Sequence, residues 1–145
     1  MRLVLQTIEK ATLTVPHNPK VSVKKGLIVY VGFSHGDTLE ILPKMVDKLL
    51  HLRIFPDDQG KTNWTLDQHQ GHLLLVPNFT LYGDVSSSRR PSFSHCLPPK
   101  EATLLFQQFV ALCQDKRPGT QAGYFGEDMH IEVVHQGPFT MVIEV

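Results

Sequence analysis

Gly26-Leu27-Ile28-Val29-Tyr30-Val31-Gly32-Phe33 is the stretch on which the fold turns. It is continuously apolar, rich in β-branched residues and bracketed by glycines, which predicts a central strand buried on both faces. Ser34-His35-Gly36-Asp37 ends it as a turn. Upstream, Leu3, Leu5 and Thr7 alternate with Val4, Gln6 and Ile8, and Ala11 to Val15 resumes the rhythm before Pro16-His17-Asn18-Pro19. The chain therefore opens with a hairpin. Downstream, Leu42, Met45, Val46, Leu49 and Leu50 recur at helical spacing, with Pro43 where a first turn tolerates a missing N–H, so a helix is expected over about 42 to 51.

Further out, Leu52 to Phe55 reads as a short strand that breaks at Pro56-Asp57-Asp58-Gln59-Gly60, and His72 to Tyr82 reads as one long strand after Gly71. Asp84 to Ser94 is polar, basic and aperiodic, a surface loop. Pro98-Pro99 then introduces Ala102, Leu105, Phe106, Phe109, Leu112 and Cys113 at the spacing of an amphipathic helix. After Pro118-Gly119, Met129, Ile131 and Val133 alternate with polar neighbours, and Met141, Ile143 and Val145 close in the same rhythm, which predicts a strand pair joined by His135-Gln136-Gly137-Pro138. About seven strands against two helices give an α+β class. The sheet is expected to be largely antiparallel or mixed, with a barrel-like core and two main helices, in a single domain over residues 1–145 without repeats or linkers.

Composition narrows the function classes. The chain has 145 residues, 41% hydrophobic and 19% charged, enough for one real core and too few for two. Fourteen Lys plus Arg balance fourteen Asp plus Glu, so no global field favours DNA or a membrane surface, and any nucleic-acid contact must be local. Met1 leads directly into an alternating segment with no basic region and no long apolar region, so no export or membrane span is indicated and a cytoplasmic protein is expected. There Cys96 and Cys113 stay reduced, and neither belongs to a CxxC pair; both are read as packing residues.

Eight histidines show neither HExxH nor a CxxC partner, so no metal is expected. GxGxxG, GxxxxGK[ST] and GxSxG are absent, which removes the usual handles for dinucleotide, P-loop and α/β-hydrolase chemistry, and no cofactor is expected. Two segments stand out. Val76-Pro77-Asn78-Phe79-Thr80-Leu81 sets a proline and two polar side chains into an otherwise strong strand, which implies a bulge or an edge. It reads either as a plain edge strand with a surface threonine, or as a bulge that frees N–H groups around Phe79 and Thr80 for a polarised carbonyl. Gly137-Pro138 alone is an ordinary turn signal.

Taken in order, Gly26 to Gly32, Arg53-Ile54-Phe55, Gly60-Lys61, Pro77-Asn78-Phe79-Thr80-Leu81, Arg90-Pro91-Ser92-Phe93 and Gly137-Pro138-Phe139-Thr140 span essentially the whole chain. That series resembles the D-aminoacyl-tRNA deacylases. The resemblance implies a homodimer in which residues 77 to 81 floor a pocket and Gly137-Pro138 of the neighbouring subunit projects into it. It implies hydrolysis of the ester between an amino acid and the 3′-terminal adenosine of a tRNA, clearing D-amino acids from translation. Catalysis would lie at Phe79 and Thr80, substrate binding at Pro77, Asn78, Leu81, Phe125 and Met129, and the chiral gate at Gly137 and Pro138. Phe125 and Met129 match positions near the adenine, although Met129 reads equally as core packing.

The chain departs from the family's general branch at instructive places. Where that branch reads Ser-Gln before Phe-Thr-Leu it has Pro77-Asn78, and where that branch carries an arginine near the N-terminus it has Thr7. Pro77, Leu42 to Val46 and Phe139 resemble the animal-type branch, whose Gly-Pro bond is trans and whose chiral rejection is looser. Phe79 and Arg90 to Phe93 resemble the general branch, whose Gly-Pro bond is cis. Both isomers stay open, and D-selectivity with leakage towards small L residues is expected.

An aminoacyl ester is already activated, so positioning and oriented backbone donors supply much of the rate in a pocket expected to lack His or Asp. A threonine nucleophile needs an adjacent base, which Pro77, Asn78, Phe79 and Leu81 do not offer, so Thr80 is read as an orienting group and the vicinal 2′-hydroxyl as assistance to water. Arg89, Arg90 and Lys100 are candidates for a local basic lip. The competing readings are a dimeric nucleic-acid-binding module of the same fold without chemistry, and a small-molecule esterase that also turns over free aminoacyl esters.

Overall fold

A computed structural model describes residues 1–144; the expectation at Val145 lies outside the described residues. Strand β1 (Arg2–Thr14) folds back through the Pro16–Pro19 turn onto β2 (Val21–Val23), the expected hairpin. Strand β3 (Gly26–Gly32) pairs antiparallel with β1 on one side and parallel with β6 (His72–Pro77) on the other. A parallel partner needs a long crossover. Here it is supplied by helix α1 (Leu42–Leu50) and the small ladder β4 (Phe55–Pro56) and β5 (Thr62–Trp64). Helix α2 (Pro99–Lys116) follows, packed on α1, then β7 (Gln121–Ala122) parallel to β6 and β8 (His130–Glu144) antiparallel to β1. The result is an α+β mixed sheet, nearly barrel-shaped, whose β2 curls against β6 and β7.

Strand periodicity sorts the core into two clusters. Leu27, Val29 and Val31 of β3, with Leu73 and Leu75 of β6, face the helices and meet Met45, Leu49 and Phe109. Ile28, Leu74 and Val76 point the other way, to Ile8 and Leu13. Both faces of β3 are thus covered, as its uninterrupted apolar run requires. Gly26, at φ +151°, has no room for a side chain because the His72 backbone fills the space a Cβ would take.

Four expectations are corrected. The strand expected from His72 to Tyr82 stops at Pro77, and Phe79–Tyr82 is a 3₁₀ turn. β6 is neither bulged nor an edge, for it lies between β3 and β7; Pro77, which has no N–H to donate, is its last residue, opposite Val31. The short strand expected at Leu52 to Phe55 is reduced to Phe55–Pro56. The strand pair expected around His135 to Pro138 is one continuous strand. β1 offers a single free edge over its whole length, so both halves of β8 pair with it, Ile8 opposite His135 and Gln6 opposite Thr140. Gln136 to Phe139 then stand against Thr7 alone, as a bulge.

Candidate active site

The end of β3 fixes the turn after β6. Asn78 N–H donates to the Val31 carbonyl (2.8 Å), the last rung before the chain leaves the sheet. Gly32 lets the turn lie down, since a Cβ there would come within 2.9 Å of Leu81 Cβ and 3.0 Å of the Asn78 carbonyl oxygen. Leu81 N–H then donates to Asn78 O (3.4 Å) and Gly83 N–H to Thr80 O (2.9 Å). As in any helical first turn, the leading donors are left over. The amides of Phe79 and Thr80 have no acceptor among the described residues. The donors expected from a bulge thus come from a 3₁₀ turn instead.

The turn borders a cavity of about 720 Å³ between the end of β6, the segment leading into α2 and the loop before β8. Pro77, Asn78, Phe79, Phe125 and Met129 all line it, so the structure gathers five of the sequence-predicted residues from two distant segments. Phe79 is 54% exposed and meets Phe93 edge to face at 5.2 Å. Phe125 rests tilted on Phe106 at 6.0 Å, so core packing holds it in place. Met129 satisfies both of its readings, packed on the second core cluster while lining the cavity.

Thr80 is exposed beside the cavity, and its hydroxyl donates to Asn78 Oδ1 (2.5 Å). An amide oxygen accepts that hydrogen bond but is no base, so the threonine proton is not poised for removal. Leu81 does not line the cavity; its side chain packs on Gly32, and its carbonyl accepts from Arg2 Nη1 (2.5 Å). Gly137 and Pro138 also lie outside it, exposed on the β8 bulge, with Gly137 at φ +124° and the Gly137–Pro138 peptide cis. The bulge is tethered by Thr7, whose buried hydroxyl donates to the Gln136 carbonyl (2.5 Å). Arg89, Arg90 and Lys100 are exposed.

Sequence reasoning missed several of the walls. Glu127 and Asp128 line the cavity, and Asp128 corrects the expectation of a pocket lacking His or Asp. Cys96 lines it too, with Sγ within 3.3 Å of the Phe79 carbonyl and its thiol pKa raised by burial. Packing describes Cys113, whose thiol burial pushes up to about 12, but not Cys96. Tyr30 lines the cavity from the central strand, with its phenol pKa raised by burial. The one signal that pointed to the Cys96 side is Phe93, inside the Arg90-Pro91-Ser92-Phe93 motif. Among the described residues, no three His, Cys, Asp or Glu side chains gather as a metal-binding group.

Comparison with known proteins shows the family of the chain. The family described as D-Tyr-tRNA(Tyr) deacylase matches residues 4–144. The D-aminoacyl-tRNA deacylase of Clostridium perfringens is 39% identical over 144 residues, covering 99% of this chain and 97% of the relative. That of Acinetobacter baumannii is 37% identical over 145 residues, covering 100% and 99%. Among solved structures, the c-Myc DNA unwinding element binding protein superimposes with a TM-score of 0.93 at 30% identity, covering 100% of this chain and 99% of that one. With the match running from β1 through β8 and including the Phe79–Tyr82 turn and the Gly137–Pro138 bulge, the chain belongs to the D-Tyr-tRNA(Tyr) deacylase family.

Proposed function

We propose that this protein is a hydrolase that cleaves the ester joining a D-amino acid, or glycine, to the 3′-terminal adenosine of tRNA, as a step of translation proofreading. The observation that carries the reading is the pair of unpartnered amides at Phe79 and Thr80, set at an apolar cavity in a chain of this family. Two preorganised N–H donors suit the oxyanion that forms when water adds to an ester carbonyl. The carbon–oxygen bond to the ribose then breaks, the ribose oxygen takes a proton, and the products are a free amino acid and tRNA with its terminal hydroxyl restored. The vicinal 2′-hydroxyl assists the attacking water, while Thr80, its proton committed to Asn78, orients the substrate. Phe125 and Met129 offer an aromatic and a thioether surface to the adenine, as single-stranded RNA ends require. Arg89, Arg90 and Lys100 supply local positive charge for phosphates.

The working unit is a cytoplasmic homodimer. β8 is paired on one side only, and Val134 (40% exposed), Met141 (41%) and Val142 (56%) stand out along it. A long apolar edge of this kind invites a second copy. The Gly137-Pro138 bulge, which does not line the cavity of its own chain, reaches that of the second copy and acts as the chiral gate. Small L residues leak past it despite the cis peptide, as the resemblance of Pro77 and Phe139 to the looser branch implies. No described helix is long and apolar enough to cross a membrane.

The test is a side-by-side assay of D-, L- and glycyl-tRNA together with free aminoacyl esters. Expected is fast clearance of D- and glycyl-tRNA, slow clearance of L-alanyl-tRNA, and little turnover of free esters. Binding of tRNA without cleavage would establish the non-catalytic module instead, and equal turnover of free esters a small-molecule esterase.

A further inference from the structure

Arg2, at the start of β1, is drawn to three partners on two other elements. Its Nη1 donates to the Leu81 carbonyl (2.5 Å), its guanidinium carbon stands 4.7 Å over the Tyr82 ring, and its Nε donates to Glu144 Oε1. The first two lie in the 3₁₀ turn that begins with Phe79 and Thr80; the third is the last residue of β8. Arg2 also stands opposite Gly32 in the β1–β3 ladder, where the absence of a side chain lets the turn descend onto the sheet. The turn is thus seated on Gly32 from below, held at its entrance by the Asn78 amide on Val31, and gripped at its far end by a forked cation. A short 3₁₀ segment has poor internal hydrogen-bond geometry, so outside contacts decide where its leading amides point.

We propose that Arg2 is a positioning residue for deacylation, fixing the Phe79–Tyr82 turn so that the two free amides stay aimed at the reacting carbonyl. The inference rests on the proposed function, in which those amides receive the oxyanion. A guanidinium is suited to the task because its planar fork serves two acceptors while its face stacks on a ring; an ammonium serves as a single point charge. Arg2 touches no substrate atom in this scheme. Its effect belongs in the chemical step, because a small misplacement of oxyanion donors costs rate while leaving ground-state binding largely intact.

The experiment measures kcat, KM and the thermal midpoint of wild type, Arg2→Ala and Arg2→Lys on D-aminoacyl-tRNA, with and without low-millimolar guanidinium. Arg2→Ala should lower kcat by about tenfold or more with KM nearly unchanged. Arg2→Lys, which keeps the charge, should fall between the two with the thermal midpoint of wild type. Guanidinium added to Arg2→Ala should restore part of the lost kcat and do nothing for wild type. A kcat in Arg2→Lys equal to wild type overturns the inference, and so does a loss in Arg2→Ala that follows a fall in thermal midpoint and resists rescue. A wild-type protein that clears no aminoacyl-tRNA overturns the proposed function and this inference together, so the two failures are told apart by the wild-type control.

Discussion

Two prolines mark regions of opposite character. Pro77 is buried at the end of an interior strand, opposite Val31 of the most enclosed strand in the sheet. Pro138 is exposed on a bulge of a strand paired on one side only, tied within the chain by the hydrogen bond from Thr7 to the Gln136 carbonyl. The first region carries the cavity floor and is over-determined by core packing from both faces. The second carries the proposed gate and leaves apolar side chains uncovered. One chain therefore builds a floor enclosed by its own core and a bulge that its own core leaves exposed.

The comparison breaks most completely at Gly26. Gly26→Ala puts a methyl into the His72 backbone at a φ that side chains avoid, and the β3–β6 pairing has no slack to absorb it. The expected outcome is little or no folded protein, read by circular dichroism and soluble yield. Phe109→Ala empties a fully buried site where α2 meets α1 and the sheet, and should cost about 3–5 kcal/mol in urea denaturation without changing the fold. On the other side of the comparison, the double substitution Met141→Lys and Val142→Lys should leave each protomer's stability within about 0.5 kcal/mol, because both side chains are exposed. If the proposed dimer is the working unit, the same change shifts the protein to monomer in sedimentation and lowers deacylation by about a hundredfold, because the proposed gate is then missing from every turnover. Unchanged activity in a monomer would return the gate to its own chain.

Smaller changes sharpen the picture. Thr80→Ala should lower kcat by about tenfold, the size expected of an orienting group; complete loss of activity would make its hydroxyl the nucleophile. A change of pH supplies the last test, at Cys113. Its thiol is raised from 9.0 to about 12 by burial, so the folded state holds the neutral form while the unfolded state ionises. The resulting stability is fully present below about pH 9 and is lost as pH rises from about 9 to about 12. Urea midpoints of wild type and Cys113→Ala, compared below and inside that window, should converge as pH rises.

By itself the sequence determined the elements whose signals are local. The apolar run from Gly26 to Gly32, the alternation of β1 and the helical spacing on either side of Pro43 and after Pro99 depend on periods of two and 3.6, which neighbours along the chain suffice to set. The motif order also carried the family resemblance and five residues of the cavity. Tertiary structure decided the rest. The end of β6 depends on where β3 stops offering partners, and the continuity of β8 on the free edge of β1; neither is written in the segment concerned. Glu127, Asp128 and Cys96 became cavity walls only when three segments far apart in sequence met. The isomer of Gly137–Pro138 belongs with these, because the dipeptide admits both forms and its local sequence carries no preference strong enough to choose. Local periodicity fixes what an element is; which groups face one another across a cavity is fixed by long-range packing, where a residue's neighbours are not its neighbours in the chain.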